Sequence, residues 1–403
     1  MSTFDPLDVA FRAGQELYKA GLLSLINARR QTRGRAPVGW PQVAVTPADV
    51  MWQEGNARLI RYRRDTPGSK TPLLLVCSLI NRPYVLDLLG ERSVVRRLID
   101  RGHDVWLLDW GTPGAADATR PLADYALEQL PRAAAVVTER AGSDELHVLG
   151  YCMGGTLSLM AIAAGRLPAA SLVAMATPVA LHDEGLLSLW CRAPGFDPAE
   201  LAGAYGNVPP HVLQPAFKML DPVSLATKFV HLDGKVEDDD FIRFFLAMET
   251  WLEDSVAFPG RAFVDWVQLY RSDALAKGGL VLDGTAIDLG RVRCPIFHVI
   301  ADGDYITPPP SSLALESLTG ARAQKTMRLS GGHIGLSTGR AAHERLWPAV
   351  SDWLHAHDAT AQRAEARRDA GAQKATKLPT AARKVARPQP RRRPNDGKSK
   401  RKR

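Results

Sequence analysis

Residues 145–155 read Glu145-Leu146-His147-Val148-Leu149-Gly150-Tyr151-Cys152-Met153-Gly154-Gly155, a short apolar run that ends in a glycine-rich turn around one cysteine. The run predicts a β-strand over 145–150, and the apolar positions from Gly154 to Arg166 predict the helix that follows it. A nucleophile on such a tight strand-to-helix turn stands exposed at the C-terminal edge of a sheet. Small residues two before and two after it relieve the crowding the turn creates. Those positions are Gly150 and Gly154, with cysteine where serine is commoner. The helix N-terminus behind Cys152 favours thiolate over thiol, and the Met153 N–H faces the place where an oxyanion would form.

Outward from this turn the chain alternates short, wholly apolar strands with helical stretches. Strands are expected at 72–80, 104–110, 145–150 and 171–177, with helices at 93–101, 125–140 and 154–166 between them. Strands that are apolar throughout and alternate with helices indicate a parallel sheet covered on both faces, and with the turn at Cys152 the fold class is α/β, of the α/β-hydrolase type. The rhythm stops near residue 180 and returns at 295–301 and 325–330, followed by a terminal helix at 340–356. The intervening segment is rich in Trp, Phe and Pro and patterned for helices. The expected organisation is an N-terminal helical segment and proline-bearing connector (1–50), a first part of the core (51–182), an inserted helical cap (183–290), a second part of the core (291–358) and a basic tail (359–403).

A thiol nucleophile needs a base and a carboxylate to orient that base, and in this fold they follow the nucleophile in the order acid, then histidine. After the strand at 295–301 come Asp302, Gly303 and Asp304. Both aspartates compete for the role, and Asp304 is preferred because it lies further out in the loop. After the strand at 325–330 comes Gly331-Gly332-His333-Ile334-Gly335, the one histidine of ten that sits in the loop directly after the last strand. His298, inside an apolar strand, reads as core, and His103 precedes a strand in a turn. A second oxyanion donor is expected from the loop Ser78-Leu79-Ile80-Asn81-Arg82-Pro83, with the Ile80 N–H as candidate; the alternative is that Asn81 and Arg82 only structure that loop.

Of the 403 residues 45% are hydrophobic and 23% charged, which excludes collagen-like, disulfide-scaffold and fully disordered classes. The net charge of +8 is unevenly spread. Residues 360–403 hold 16 Lys/Arg against 3 Asp/Glu, leaving 35 against 40 in the remainder, so an acidic body of −5 precedes a tail of +13. The tail has almost no large apolar residue with which to offset its ordering entropy. It is expected to be disordered and to bind DNA or another polyanion, or else to be a solvated end without function. Cys77, Cys152, Cys191 and Cys294 lie far apart without paired spacing, as expected of reduced thiols. Asp5, Asp8 and Glu16 stand where a signal peptide would want a basic start, and no window approaches eighteen consecutive apolar residues. A cytoplasmic protein with no transmembrane segment is expected.

Several blocks taken together carry a resemblance: Ser78 to Tyr84, Asp87 with Glu91 to Arg97, Asp104 to Gly111, Gly150 to Gly155, Ala174 to Pro178, Gly206 to Pro209, and Gly331 to Gly335. In this order they resemble the catalytic subunit of polyhydroxyalkanoate synthases, nearest to the short two-component type called class III, over roughly residues 1–355. The resemblance puts Cys152 on the nucleophile, Asp304 on the acid and His333 on the histidine, and so favours Asp304 over Asp302 more firmly than position does. It implies polymerisation of (R)-3-hydroxyacyl-CoA thioesters into polyester such as poly-3-hydroxybutyrate, with release of coenzyme A and no metal or cofactor beyond the coenzyme A that the substrate carries. It also implies a homodimer, a second synthase subunit and residence at the surface of cytoplasmic polyester granules. The cysteine suits that chemistry, because acyl transfer between thiols exchanges one thioester for another and keeps the acyl group activated. The basic tail departs from the family and resembles linker-histone-like tails that tether granules to the nucleoid. The competing functions are a thioesterase or esterase that uses water, and a granule- or nucleoid-binding protein with a vestigial triad.

Overall fold

Four central strands, buried throughout except at the first residue of the last, build the middle of an eight-stranded sheet: β3 (Leu73–Val76), β4 (Val105–Asp109), β5 (Leu146–Tyr151) and β6 (Ala169–Met175). The computed structural model describes residues 6–65 and 68–358, without the side chains of Asp8 and Leu225; the basic tail expected at 359–403 lies outside the described residues. Flanking strands are β1 (Ala48–Glu54), β2 (Ala57–Tyr62), β9 (Ile296–Ala301) and β10 (Gln324–Leu329), and a separate hairpin pairs β7 (Leu280–Leu282) with β8 (Thr285–Ile287). The sheet order is β1-β2-β4-β3-β5-β6-β9-β10. Strands β4 to β10 in this order run parallel, while β2 lies antiparallel to β4 and β1 antiparallel to β2. The fold is therefore α/β of the hydrolase type with an antiparallel edge.

Period-two alternation divides the strand side chains between two cores. Leu74 and Val76 of β3 join Val148, Leu157 and Met160 on one face; Leu73 and Leu75 join Leu149, Phe297 and Trp347 on the other. Burial on both faces is what makes these strands apolar throughout. At the edge, β10 carries exposed Lys325 and Arg328, charges that discourage pairing with another chain.

The hairpin β1–β2 was not among the expected strands. Its signal is the polar–apolar alternation of 49–62 around Gly55-Asn56, a two-residue turn in which Gly55 takes φ +58°. The small hairpin β7–β8 was not expected either, since it falls in the segment read as a helical cap. The remaining strands, and the helices between them, lie where the alternation places them, shifted by a few residues at their ends.

Between β6 and β9 the chain runs through a series of helices, among them Leu186–Cys191, Pro198–Tyr205, Pro210–Lys218, Pro222–Gly234, Asp239–Glu253 and Gly260–Ser272. Several begin with proline at the first helical position, and Asp197, Asp221 and Asp238 cap three of them through backbone N–H groups. The N-terminal helix Pro6–Thr32 packs Leu22 and Ile26 onto Leu232, Ile242 and Leu246 of this insertion. Three polar contacts, the first of them buried, fix it there. Arg30 donates to the Val236 carbonyl and to Asp239, and Tyr18 donates to Glu249, which also accepts from Lys228 at 2.6 Å.

Candidate active site

Strands β4 and β5 leave β3 on opposite sides, so the loops after β3 and β5 diverge at the C-terminal edge and open a crevice there. Cys152 sits in that crevice directly after β5, with φ +56° and ψ −129°, a left-handed conformation that costs strain in any residue but glycine. Its own N–H donates to the Met175 carbonyl at 2.8 Å, which locks the turn to β6. The flanking glycines are required by close approach. A Cβ on Gly150 would lie 2.4 Å from the Gly155 Cα, and one on Gly154 would lie 2.1 Å from the Val76 carbonyl oxygen. The small residues expected around the nucleophile therefore let helix Met153–Ala163 start against β3.

The loops after β9 and β10 bring the other two expected residues together. His333 Nδ1 lies 2.7 Å from Asp304 Oδ2, and both residues are buried. The other oxygen of Asp304 accepts from the Ile306 and Thr307 N–H groups at 2.9 and 2.8 Å, so the carboxylate is held at both ends. With Nδ1 given to the carboxylate, Nε2 is the ring atom left for Cys152, a tautomer assigned from the hydrogen bonding. Asp302 points elsewhere: it is 45% exposed and pairs with Arg328 at 2.7 Å, so Asp304 alone reaches the imidazole. Tyr151 braces the loop by donating to the His333 carbonyl at 3.0 Å and stacking on the ring at 5.0 Å.

The electrostatics of the pair favour charge separation. Burial alone would push the Cys152 thiol up, but the His333 charge beside it, with hydrogen bonds from His333 and Ser78, outweighs burial and brings the thiol below its ordinary 9.0. Burial would likewise depress His333, yet the adjoining Asp304 and Cys152 raise it to about 10. The two shifts run in opposite directions, each favouring the charged form of its group in the presence of the other. Cys77, buried nearby without a cationic partner, is pushed well up instead.

Cys152 and His333 line a cavity of about 230 Å³ whose polar wall is Ser78, Asn81, Gln214, Lys218, Ser255 and Thr307. Met153 and Ile80, the expected oxyanion donors, line it too. The Ile80 carbonyl accepts from Val256 at 3.4 Å, and Arg82 joins its loop to the insertion by donating to Asp254 and accepting from Trp251 at its carbonyl, while a further donation to Thr112 ties it to the loop after β4. His298 and His103 lie away from this site. His298 is buried on β9 against Gln324, and His103 bonds Ser351 before β4, at the opposite edge of the sheet. Ser78 was not singled out from the sequence; its only signal is its place in the loop after β3. Among the described residues no group of three or more His, Cys, Asp or Glu is placed to hold a metal ion, and no helix is long and apolar enough to cross a membrane. The four cysteines are unpaired.

Residues 13–98 match the family described as the poly-beta-hydroxybutyrate polymerase (PhaC) N-terminus, and residues 87–339 match the alpha/beta hydrolase fold. The poly(3-hydroxyalkanoate) polymerase subunit PhaC of Haloferax mediterranei is 37% identical over 316 residues, 77% of this chain and 64% of that protein. The subunit of the same name from Haloarcula marismortui is 35% identical over 322 residues, covering 77% and 68%. That from Thiocystis violacea is 34% identical over 356 residues, 87% of this chain and 95% of that one. The chain thus spans about two thirds of the length of the two haloarchaeal relatives and nearly all of the third.

Proposed function

The chain belongs to the poly(3-hydroxyalkanoate) polymerase (PhaC) family, and from that premise we propose that it polymerises (R)-3-hydroxyacyl-CoA thioesters through a covalent thioester on Cys152. The observation that carries this reading is His333 held between the Asp304 carboxylate and the Cys152 thiol. The thiolate attacks the thioester carbonyl, and the N–H groups of Met153 and the Ile80 loop hold the oxyanion. Collapse of the tetrahedral intermediate breaks the bond to the coenzyme A sulfur, which takes the proton from the His333 imidazolium. Neutral His333 then accepts the proton of a 3-hydroxyl group as its oxygen attacks the acyl carbon on Cys152, joining the two units by an ester and regenerating the thiolate and imidazolium. Asp304 keeps the imidazole in the tautomer and orientation that both steps use.

The relatives are called subunits, which supports a second synthase subunit for this chain; a homodimer, attachment to the surface of polyester granules and coenzyme A as the only group carried in are parts of the same proposal. The test is incubation with 3-hydroxybutyryl-CoA, alone and with a class III accessory subunit, reading coenzyme A release and polymer together. Polymer formation supports the reading. Coenzyme A release with free 3-hydroxybutyrate and no polymer would make the protein a thioesterase. Cys152→Ala should abolish both signals without unfolding the protein, since it opens no large cavity, and Cys152→Ser should be severely impaired because the hydroxyl is a weaker nucleophile and gives a less activated ester.

A further inference from the structure

Ile80, the second oxyanion donor, sits in a loop, and a donor in a loop stabilises the developing charge only if it is held within about 0.5 Å of its working position. Its N–H finds no acceptor among the described residues, which leaves it free for a substrate oxygen. One short stretch of the insertion, from Trp251 near the end of helix Asp239–Glu253 to Val256, holds this loop from outside. The Val256 N–H donates to the Ile80 carbonyl at 3.4 Å, and the Trp251 indole N–H donates to the Arg82 carbonyl at 2.7 Å. Asp254 accepts from the Arg82 guanidinium on one oxygen and from the Tyr84 hydroxyl on the other, each at 3.1 Å. The N–H and carbonyl of Ile80 flank one Cα, so a shift of the held carbonyl carries the donor with it. The holding stretch is itself braced within the insertion, where Gln214 donates to the Leu252 carbonyl at 2.7 Å and to the Ser255 hydroxyl at 3.0 Å. At its root the loop is pinned to the sheet by Trp110, whose indole N–H donates to the Cys77 carbonyl at 2.9 Å.

We propose that Trp251 and Asp254 are positioning residues for acyl transfer: acting through Arg82, they set the Ile80 N–H against the oxyanion that forms when Cys152 attacks a carbonyl. The Trp251 ring also lines the cavity at Cys152, whereas Asp254 is 45% exposed and is not part of that wall, so Asp254 isolates the positioning effect. The inference requires only that Cys152 takes up an acyl group, whichever acceptor then removes it, and so goes beyond the polymerase reading without depending on it.

The test compares two reactions of the same thiol in the full-length protein, in the wild type, Asp254→Ala and Trp251→Phe. p-Nitrophenyl butyrate acylates Cys152 and releases p-nitrophenolate, through a transition state that bears an oxyanion. Iodoacetamide alkylates the same sulfur by displacing iodide from a saturated carbon, and no oxyanion forms. Acylation at saturating ester should slow about tenfold to a hundredfold in both variants, since misplacing a group by about 1 Å costs on the order of a hundredfold and losing a donor outright costs at least that much. The alkylation rate and its inflection against pH should stay as in the wild type, and the KM for the ester should be unchanged in Asp254→Ala. Equal slowing of both reactions would show a disturbed thiol or fold. An unchanged acylation rate would show that the loop holds without these contacts, and a raised KM at an unchanged saturating rate would make Asp254 a substrate-binding residue. Each of these results overturns the proposal. Repeating the acylation with 3-hydroxybutyryl-CoA keeps the two readings apart: a wild type acylated by the ester but not by the acyl-CoA would overturn the polymerase reading, while the comparison of variants with the ester still decides the positioning role. A wild type that neither substrate acylates would overturn both.

Discussion

At the scale of the residue, two neighbouring aspartates separate by what they touch. Asp304 Oδ2 lies 2.7 Å from His333, whereas Asp302 is spent on Arg328 at the surface. Asp304→Asn should therefore cost turnover about four orders of magnitude, the price of an imidazole free to take the wrong tautomer, while Asp302→Asn stays near wild type. Comparable losses in the two would refute the assignment. The thiolate can be followed without turnover, through the rate of Cys152 alkylation by iodoacetamide against pH. In the native site the inflection should fall below 9.0, because a lowered thiol keeps its reactive anion as the pH drops beneath the ordinary value. His333→Gln removes the stabilising charge but leaves the burial, so the inflection should move above 9.0. Ser78→Ala removes one hydrogen bond and should move it upward by less. An unchanged inflection in His333→Gln would show that the histidine does not face the thiol.

At the scale of the element, the turn at Cys152 and the N-terminal helix place opposite demands on glycine. Helix Met153–Ala163 approaches β3 so closely that a Cβ on Gly154 meets the backbone of Val76 and Cys77, which cannot move without displacing the strand. Gly154→Ala should cost about 3 kcal/mol in urea unfolding, the upper end of ordinary overpacking, and should slow Cys152 alkylation as the turn shifts. On helix Pro6–Thr32, a Cβ on Gly14 meets nothing within 4 Å. Gly14→Ala should therefore stabilise the protein by up to about 1 kcal/mol, since it removes only the entropy cost of glycine in a helix. A loss below about 1 kcal/mol in the first variant would show that the close approach is not what requires the glycine.

At the scale of the whole molecule, charge divides a body of −5 from a tail of +13, and catalysis and polyanion binding should divide with it. Deleting the residues after 359 should leave acyl transfer nearly unchanged. The cut keeps Asp358, which accepts from the hydroxyls of Ser69 and Thr71 and ties the last helix to the start of β3. DNA retention should disappear with the tail, and in the full chain it should fall roughly a thousandfold or more between about 50 and 200 mM salt if about six to ten phosphates are engaged. Equal DNA binding by both proteins in a salt-titrated gel shift, or a large loss of catalysis on truncation, would show the tail wrongly assigned.

What the sequence determined by itself was whatever is encoded in neighbours along the chain. Alternating apolar runs specify strands, glycines two residues either side of Cys152 specify the turn, and chain order after β9 and β10 limits the acid and base to Asp302 or Asp304 and His333. The family blocks then favoured Asp304. Hairpin β1–β2 escaped although its signal is local, because it lies just after a proline-bearing connector and its polar alternation is unlike the apolar core strands. The tertiary structure alone decided what depends on residues distant in sequence. His333 meets Cys152 across 181 positions, Ser78 reaches the thiol from a loop 74 positions away, and Trp251 and Asp254 reach that same loop only when the inserted helices close beside the nucleophile. Periodicity says which face of a helix is buried but not what it is buried against. The pairing of thiol, imidazole and carboxylate follows from where the sheet brings its loop ends together, and that is settled by the packing of the whole core.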